Sequence, residues 1–211
     1  MEDTMLSQPV VELSNRDLLA LLVGENTADC MLMETGGSLF SLFPDEPCTV
    51  ATVREPSAEY GWARPREILS AARELARRCL GESLAQGESM NSPRQVKDYL
   101  SLSLGKLPYE AFMVLWLDAQ NRLIEAEVLF KGTLTQTSVY PREVVKQALA
   151  HNAAGVILSH NHPSGTAEAS QADRWLTDQL KAALGLVDVK LVDHIIVAGN
   201  EHLSFCDRGW L

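Results

Sequence analysis

The apolar run Gly155-Val-Ile-Leu-Ser159 leads without a break into His160-Asn-His162-Pro-Ser-Gly165, and that junction restricts the fold more than any other part of the chain. A short aliphatic segment bounded by turn formers reads as a strand buried on both faces. Such strands belong to α/β sheets, which gather ligands at the C-terminal ends of their strands. Side chains alternate along a strand, so His160 and His162 project toward one side. Pro163 and Gly165 then turn the chain. Ser170 reads as the N-cap of the next helix and Asp173 as its third residue.

Asp173 follows His162 by eleven positions, and its carboxylate is expected to point back toward the histidines. Thr177, Leu180 and Leu184 share its helical face, with Leu176 and Ala183 beside it, so Asp173 belongs to the stripe that should pack on a sheet. An inward carboxylate needs a partner. The nearby bases Arg174 and Lys181 lie off that stripe, which leaves a cation or the histidines. Two neutral imidazoles and one carboxylate suit Zn²⁺ in a catalytic site, the fourth tetrahedral position being left to water. Water held there has its pKa lowered toward about 7 and can attack a carbonyl. The plainer reading stands beside this one. His-x-His at a strand end is common without metal, and an acid in a helix's first turn ordinarily serves the dipole.

The pattern His160, His162, Pro163, Gly165, Ser170, Asp173 is accompanied by Glu110-Ala-Phe-Met-Val-Leu-Trp-Leu-Asp118, Leu129-Phe-Lys-Gly-Thr-Leu134, Val139-Tyr-Pro-Arg-Glu-Val144, Asp193-His-Ile-Ile196 and a terminal Arg208-Gly-Trp. With these segments, residues from about 91 to 211 resemble the RadC family, a bacterial branch of the JAB/MPN metallopeptidases. The resemblance implies a zinc-dependent hydrolase of a peptide or isopeptide bond, with His160, His162 and Asp173 as metal ligands. It also implies an upstream glutamate as general acid/base and a serine, Ser170, that assists the oxyanion besides capping its helix. Glu110, at the head of an apolar strand, matches the family's upstream glutamate. Spacing alone does not select it over Glu125, Glu127 or Glu143, each of which also reads as a solvated carboxylate. Glu143 fits first-turn helix chemistry after Pro141, and Glu125 and Glu127 flank a hairpin. Asp193 and His194 match the family as well, yet a lone strand histidine reads first as a satisfied core residue. His151 and His202 read as peripheral.

The remaining elements predict an α/β fold: a mixed central sheet sandwiched by helices, of the JAB/MPN and deaminase-like kind, with a small helical N-terminal region. Residues 112–117 and 123–130 read as strands joined by the turn-rich Asp118-Ala-Gln-Asn-Arg122. Pro141 opens a helix through about Ala150, with Val144, Val145, Ala148 and Leu149 as its buried face. Strands follow at 189–197 and 202–205. Residues 92–104 read as an amphipathic helix burying Val96, Tyr99 and Leu100. The boundary is placed in residues 81–90, where the apolar period breaks, giving an N-terminal region of residues 1–90 and a RadC-like JAB/MPN domain of residues 91–211. Before it, residues 14–22 and 65–80 read as helices around an irregular stretch with Gly36-Gly37, Pro44, Pro47 and Pro56.

At 211 residues and 46% hydrophobic content, the chain can bury a real core. No apolar stretch is long enough to span a membrane, and Glu2 and Asp3 precede no apolar run, so neither a membrane segment nor a signal peptide is expected and the location read is cytoplasmic. Cys30, Cys48, Cys79 and Cys206 form no Cys-x-x-Cys pair, which argues against a disulfide framework, a cysteine zinc site and the zinc deaminases alike.

Leu13-Ser-Asn-Arg-Asp-Leu-Leu-Ala20 and Ala71-Ala-Arg-Glu-Leu-Ala-Arg-Arg78 are similar to the two ends of the RadC N-terminal region, which carries a DNA-binding helix-hairpin-helix. Between them the chain reads Ser57-Ala-Glu-Tyr-Gly-Trp-Ala-Arg64, without the Gly-x-Gly turn that brings backbone amides to a phosphate. Residues 1–90 hold seven Arg and no Lys against fifteen Asp and Glu, a balance of −8 out of the chain's −10. That field repels a polyanion and argues against DNA binding. The basic cluster Arg64, Arg66, Arg73, Arg77 and Arg78 reads as a solvated helix face partnered by Glu67 and Glu74. The leading expectation is therefore a zinc peptidase with a protein or peptide substrate that the sequence does not name. The alternative is a non-catalytic, DNA-repair-associated accessory module. An oligomer is possible through the strand edge at 202–205.

Overall fold

The structure, a computed structural model, describes residues 13–39, 42, 63–86, 93–132 and 139–211. The chain divides into two compact units, Met1–Leu75 and Ala76–Leu211. Helix α3 (Ala63–Gln86) begins in the first and ends in the second. In the first unit, α1 (Asn15–Val23) starts where the Ser14 hydroxyl accepts from the Asp17 N–H. α2 (Glu25–Glu34) occupies part of the stretch expected to be irregular. Its inward residues are only Ala28 and Met31, too thin a stripe to signal a helix by period; packing with Leu19 and Leu69 supplies what propensity does not. Arg16 joins the two helices through Asp29, Nε donating at 2.6 Å and Nη2 at 2.8 Å. Pro44, Pro47, Pro56, Cys48 and the stretch 57–62 lie outside the described residues.

The second unit is a five-stranded mixed sheet in the order β2-β1-β3-β4-β5, with β1 at Ala111–Leu117, β2 at Leu123–Lys131, β3 at Gly155–Asn161, β4 at Lys190–Ala198 and β5 at Glu201–Ser204. β3 and β4 pair in parallel and all other neighbours antiparallel. The β1–β2 turn closes as its sequence predicts. Asp118 Oδ1 accepts from the N–H of Gln120 and Arg122, and Arg122 Nε donates to Asp118 Oδ2 at 2.6 Å.

Alternation along β1 divides the core. Met113, Leu115 and Leu117 face α4 (Pro93–Leu104) and the end of α3, against Val96, Tyr99, Leu100, Leu104 and Leu84. Phe112, Val114 and Trp116 face α5 (Pro141–Ala150) and α6 (Gln171–Gly185), against Val144, Ala148, Leu180 and Leu184. β1 and β3 are buried at every position. Burying each large aliphatic side chain contributes roughly 1.5–3 kcal/mol.

Three local expectations are corrected. Leu149 is 58% exposed; it lies five residues after Val144, well round the helix from the buried stripe. Helix α3 does not break at Gly81 but continues to Gln86, because the residues on either side of the glycine, Leu80 and Leu84, pack into the core. Arg77 leaves the solvated cluster, its Nη1 donating to Tyr99 Oη at 3.0 Å with the guanidinium over the ring.

Candidate metal centre

β3 carries His160 to its C-terminal end on the face covered by α5 and α6. Phe112 is its partner in β1, with the two rings stacked at 6.4 Å between centroids. His162 follows past the strand, its N–H donating to Val197 O at 2.8 Å. The Gly165 N–H closes the turn onto His162 O at 3.1 Å, and the positive φ of 83° at Gly165 suits a residue without a Cβ. The imidazoles converge: the two Nε2 atoms lie 3.0 Å apart.

Asp173 arrives from α6. Ser170 caps the helix in a reciprocal box, its Oγ accepting from the Asp173 N–H while the Asp173 side chain accepts from the Ser170 N–H. Ser170 Oγ–H also donates to Asp173 Oδ2 at 2.7 Å. With Oδ2 so engaged, Oδ1 is turned to His160 Nε2 at 3.3 Å, and Oδ2 lies 3.9 Å from His162 Nε2. Burial raises the carboxyl's pKa, but a His160 that carries a hydrogen on Nε2 and the Ser170 donors outweigh it and hold the group well below the usual carboxylate range. Asp173 is anionic at neutral pH. Nε2 of both histidines and a carboxylate oxygen thus meet within 4.8 Å, a group able to hold a metal ion.

The donor set fits that role by a hydrogen-bond argument as well as by distance. His162 Nδ1 is 2.9 Å from Thr166 O. A carbonyl only accepts, so Nδ1 carries the hydrogen and the Nε2 of a neutral His162 presents a lone pair to its neighbours. Behind His160 stands a residue that sequence reasoning set aside. His194 is fully buried, its Nε2 2.9 Å from His160 Nδ1 and its Nδ1 2.6 Å from Thr177 Oγ1. Burial, and then the nearby His160, push its pKa well below the usual imidazole value. The inward placement of Thr177 was legible from the helical period; the pairing of β3 with β4 that brings His194 to it was not.

Glu110 stands one residue before β1, partly buried, with its carbonyl accepting from the Gly132 N–H at 2.7 Å. Asn161, the middle residue of His-Asn-His and unassigned by sequence, holds both of its neighbours. Its Oδ1 accepts from the Ala111 N–H at 2.8 Å, and its Nδ2 donates to Tyr109 O at 3.0 Å and Leu107 O at 3.2 Å. The other glutamates have other partners. Glu127 accepts from Trp116 Nε1–H and His151 Nε2, each at 3.0 Å. Glu143 pairs with Arg142 and Lys146 in the first turn of α5, and Glu125 faces Trp116 across the ladder on an exposed stretch of β2. His202 bonds Ser101 Oγ at 2.7 Å, away from the centre. Asp193 is a structural acceptor for Ser204 Oγ–H and the Cys206 N–H.

No helix of the described residues is long and apolar enough to cross a membrane. The sequence profile of the RadC-like JAB domain matches residues 90–210. A UPF0758 protein of Chromobacterium violaceum is 47% identical over 216 residues, covering 99% of this chain and 94% of its own length. One from Dechloromonas aromatica is 48% identical over 217 residues, with 99% and 94% covered. One from Janthinobacterium sp. (strain Marseille) is 60% identical over 143 residues, 68% of this chain and 64% of that protein. A profile match over more than half the chain, joined to relatives near half identity along almost all of it, shows that the chain belongs to the RadC family, with a RadC-like JAB domain at residues 90–210.

Proposed function

We propose that this protein is a zinc-dependent hydrolase of peptide or isopeptide bonds. The observation that carries the reading is that ligand atoms of His160, His162 and Asp173 all lie within 4.8 Å of one another. Zinc bonds of about 2.0–2.1 Å in a tetrahedron set ligand atoms about 3.3 Å apart. The separations of 3.0 Å between the two nitrogens and 3.3 Å between His160 Nε2 and Oδ1 lie at or just below that value, and the 3.9 Å from His162 Nε2 to the nearer carboxylate oxygen, Oδ2, lies above it. Two imidazole nitrogens and one carboxylate oxygen are the donor types zinc favours, and three ligands leave a position open.

A zinc ion held there supplies a Lewis acid that acidifies water and polarises a carbonyl. Glu110 takes the proton of the attacking water and returns it to the leaving amine. The ladder in which Phe112 faces His160 ends two residues after Glu110, which supports that assignment. Asn161 grips the residues on either side of Glu110 and so orients the segment that carries it. The Ser170 hydroxyl, donating to Asp173 at rest, turns to the carbonyl oxygen as negative charge builds on it.

Elemental analysis of the untagged protein and of His162→Ala tests the reading. Near-stoichiometric zinc in the parent and none in the variant is the expected result, and it opens a search for peptide substrates with Glu110→Gln as control. No metal in the parent after zinc addition overturns it and moves the weight to a non-catalytic binding module.

A further inference from the structure

We propose that His194 and Thr177 form a one-way hydrogen-bond relay that holds His160 in the tautomer whose Nε2 lone pair faces Asp173 and His162, making His194 a positioning residue; the metal role of the relay rests on the reading of that group as a metal site. The direction follows from the end of the chain inward. Thr177 Oγ1 lies 2.6 Å from Asp173 O. A backbone carbonyl only accepts, so the single hydroxyl hydrogen of Thr177 is committed there. Thr177 therefore has only an acceptor to offer His194 Nδ1, also 2.6 Å away, and that nitrogen must carry its own hydrogen. A neutral His194 then has a bare Nε2, which accepts from His160 Nδ1–H at 2.9 Å. With its hydrogen on Nδ1, neutral His160 leaves Nε2 bare.

The surroundings keep the relay from reversing. The His194 ring is stacked on Phe205 at 4.7 Å and meets Phe112 edge-on at 6.1 Å, so it cannot turn over to exchange its nitrogens. Trp210 packs on Phe205 from outside, and Arg174, the residue after Asp173, lies 3.8 Å over the Trp210 ring. His194 and Thr177 are 0% and 1% exposed, which excludes water as a competing partner. The relay also ends on the backbone of Asp173 itself, so two of the three ligands are oriented by one chain of bonds.

Nitrogen-15 NMR of the histidine rings in the metal-free protein reads directly which ring nitrogens carry hydrogen. His160 and His194 are both expected to carry their hydrogen on Nδ1. His194→Phe keeps the ring and removes the acceptor; it should shift His160 toward the Nε2–H form and weaken zinc binding by about 10- to 100-fold in competition with a chromophoric chelator. Thr177→Val, a milder change, should give a tautomer mixture at His160, and Thr177→Ser should restore the parent spectrum. His160 found with a bare Nδ1 in the parent, or zinc affinity and the His160 ring unchanged in both His194→Phe and Thr177→Val, overturns the relay. A parent that binds no zinc overturns the metal-site reading instead, and the tautomer readout then still decides the relay.

Discussion

Two histidine and carboxylate clusters share one face of the sheet, four residues apart along β1, roughly 13 Å. In one, Glu127 Oε2 accepts from Trp116 Nε1–H and His151 Nε2, and His151 stacks on Trp116 at 5.3 Å between centroids. Each donor there meets an acceptor, so the cluster is complete without an ion. In the other, Nδ1 of His162 lies 2.9 Å from Thr166 O and Nδ1 of His160 lies 2.9 Å from His194 Nε2, and the proposed relay leaves the two Nε2 atoms and the Asp173 carboxylate to face one another as lone pairs. Such a group can hold a cation. Composition does not separate the clusters; the placement of hydrogens does.

The largest test of this difference is metal content. His162→Ala should take it from near one ion per chain to near none, while His151→Ala should leave it unchanged; loss in both by elemental analysis would erase the distinction. Asn161→Ala separates metal binding from the segment carrying Glu110. It leaves the Ala111 N–H and two carbonyls without their partner, and a cost of about 1–3 kcal/mol in urea unfolding is expected, with metal content retained. Glu127→Leu strips the donor-satisfied cluster of its acceptor and strands the buried Trp116 N–H. About 1–3 kcal/mol of stability should be lost, again with no change in metal, measured by the same two methods.

Ser170→Ala removes the cap from α6 and one donor from Asp173. A loss of about 1 kcal/mol is expected in thermal or urea unfolding, and Ser170→Asn should recover most of it. The smallest effect concerns His202, which belongs to neither cluster. Burial lowers its pKa, so the unfolded chain binds the proton more readily than the folded one. Its contribution to stability is therefore complete above about pH 6.5 and declines as the pH falls through the lowered folded value. His202→Gln should flatten the stability profile on that acid side; an unchanged slope would remove His202 from the account.

Much of the fold was legible because it is local. The helix of α5 begins at Pro141 as its N1 signal predicts, the β1–β2 hairpin closes on Asp118, and the alternation in β1 and β3 sorts their side chains between two cores. Helix α2 was missed because two buried residues in ten do not make a readable stripe, and the length of α3 because Gly81 reads as a breaker until Leu84 is seen in the core beyond it.

The same division runs through the candidate centre. Sequence by itself determined that His160 and His162 project to one side at the end of a strand, that Ser170 caps a helix, and that Asp173 turns inward beside Thr177, since strand alternation and helical period act over a few residues. Only the tertiary structure decided the partners. His194 reaches His160 from 34 positions away, and Asn161 reaches Ala111 across 50. Those contacts depend on strand order and register, which arise from packing of the whole sheet and have no local signal. The candidate ligand types could thus be read from the chain, whereas the neighbours of each ring nitrogen are brought in by the fold from far along it.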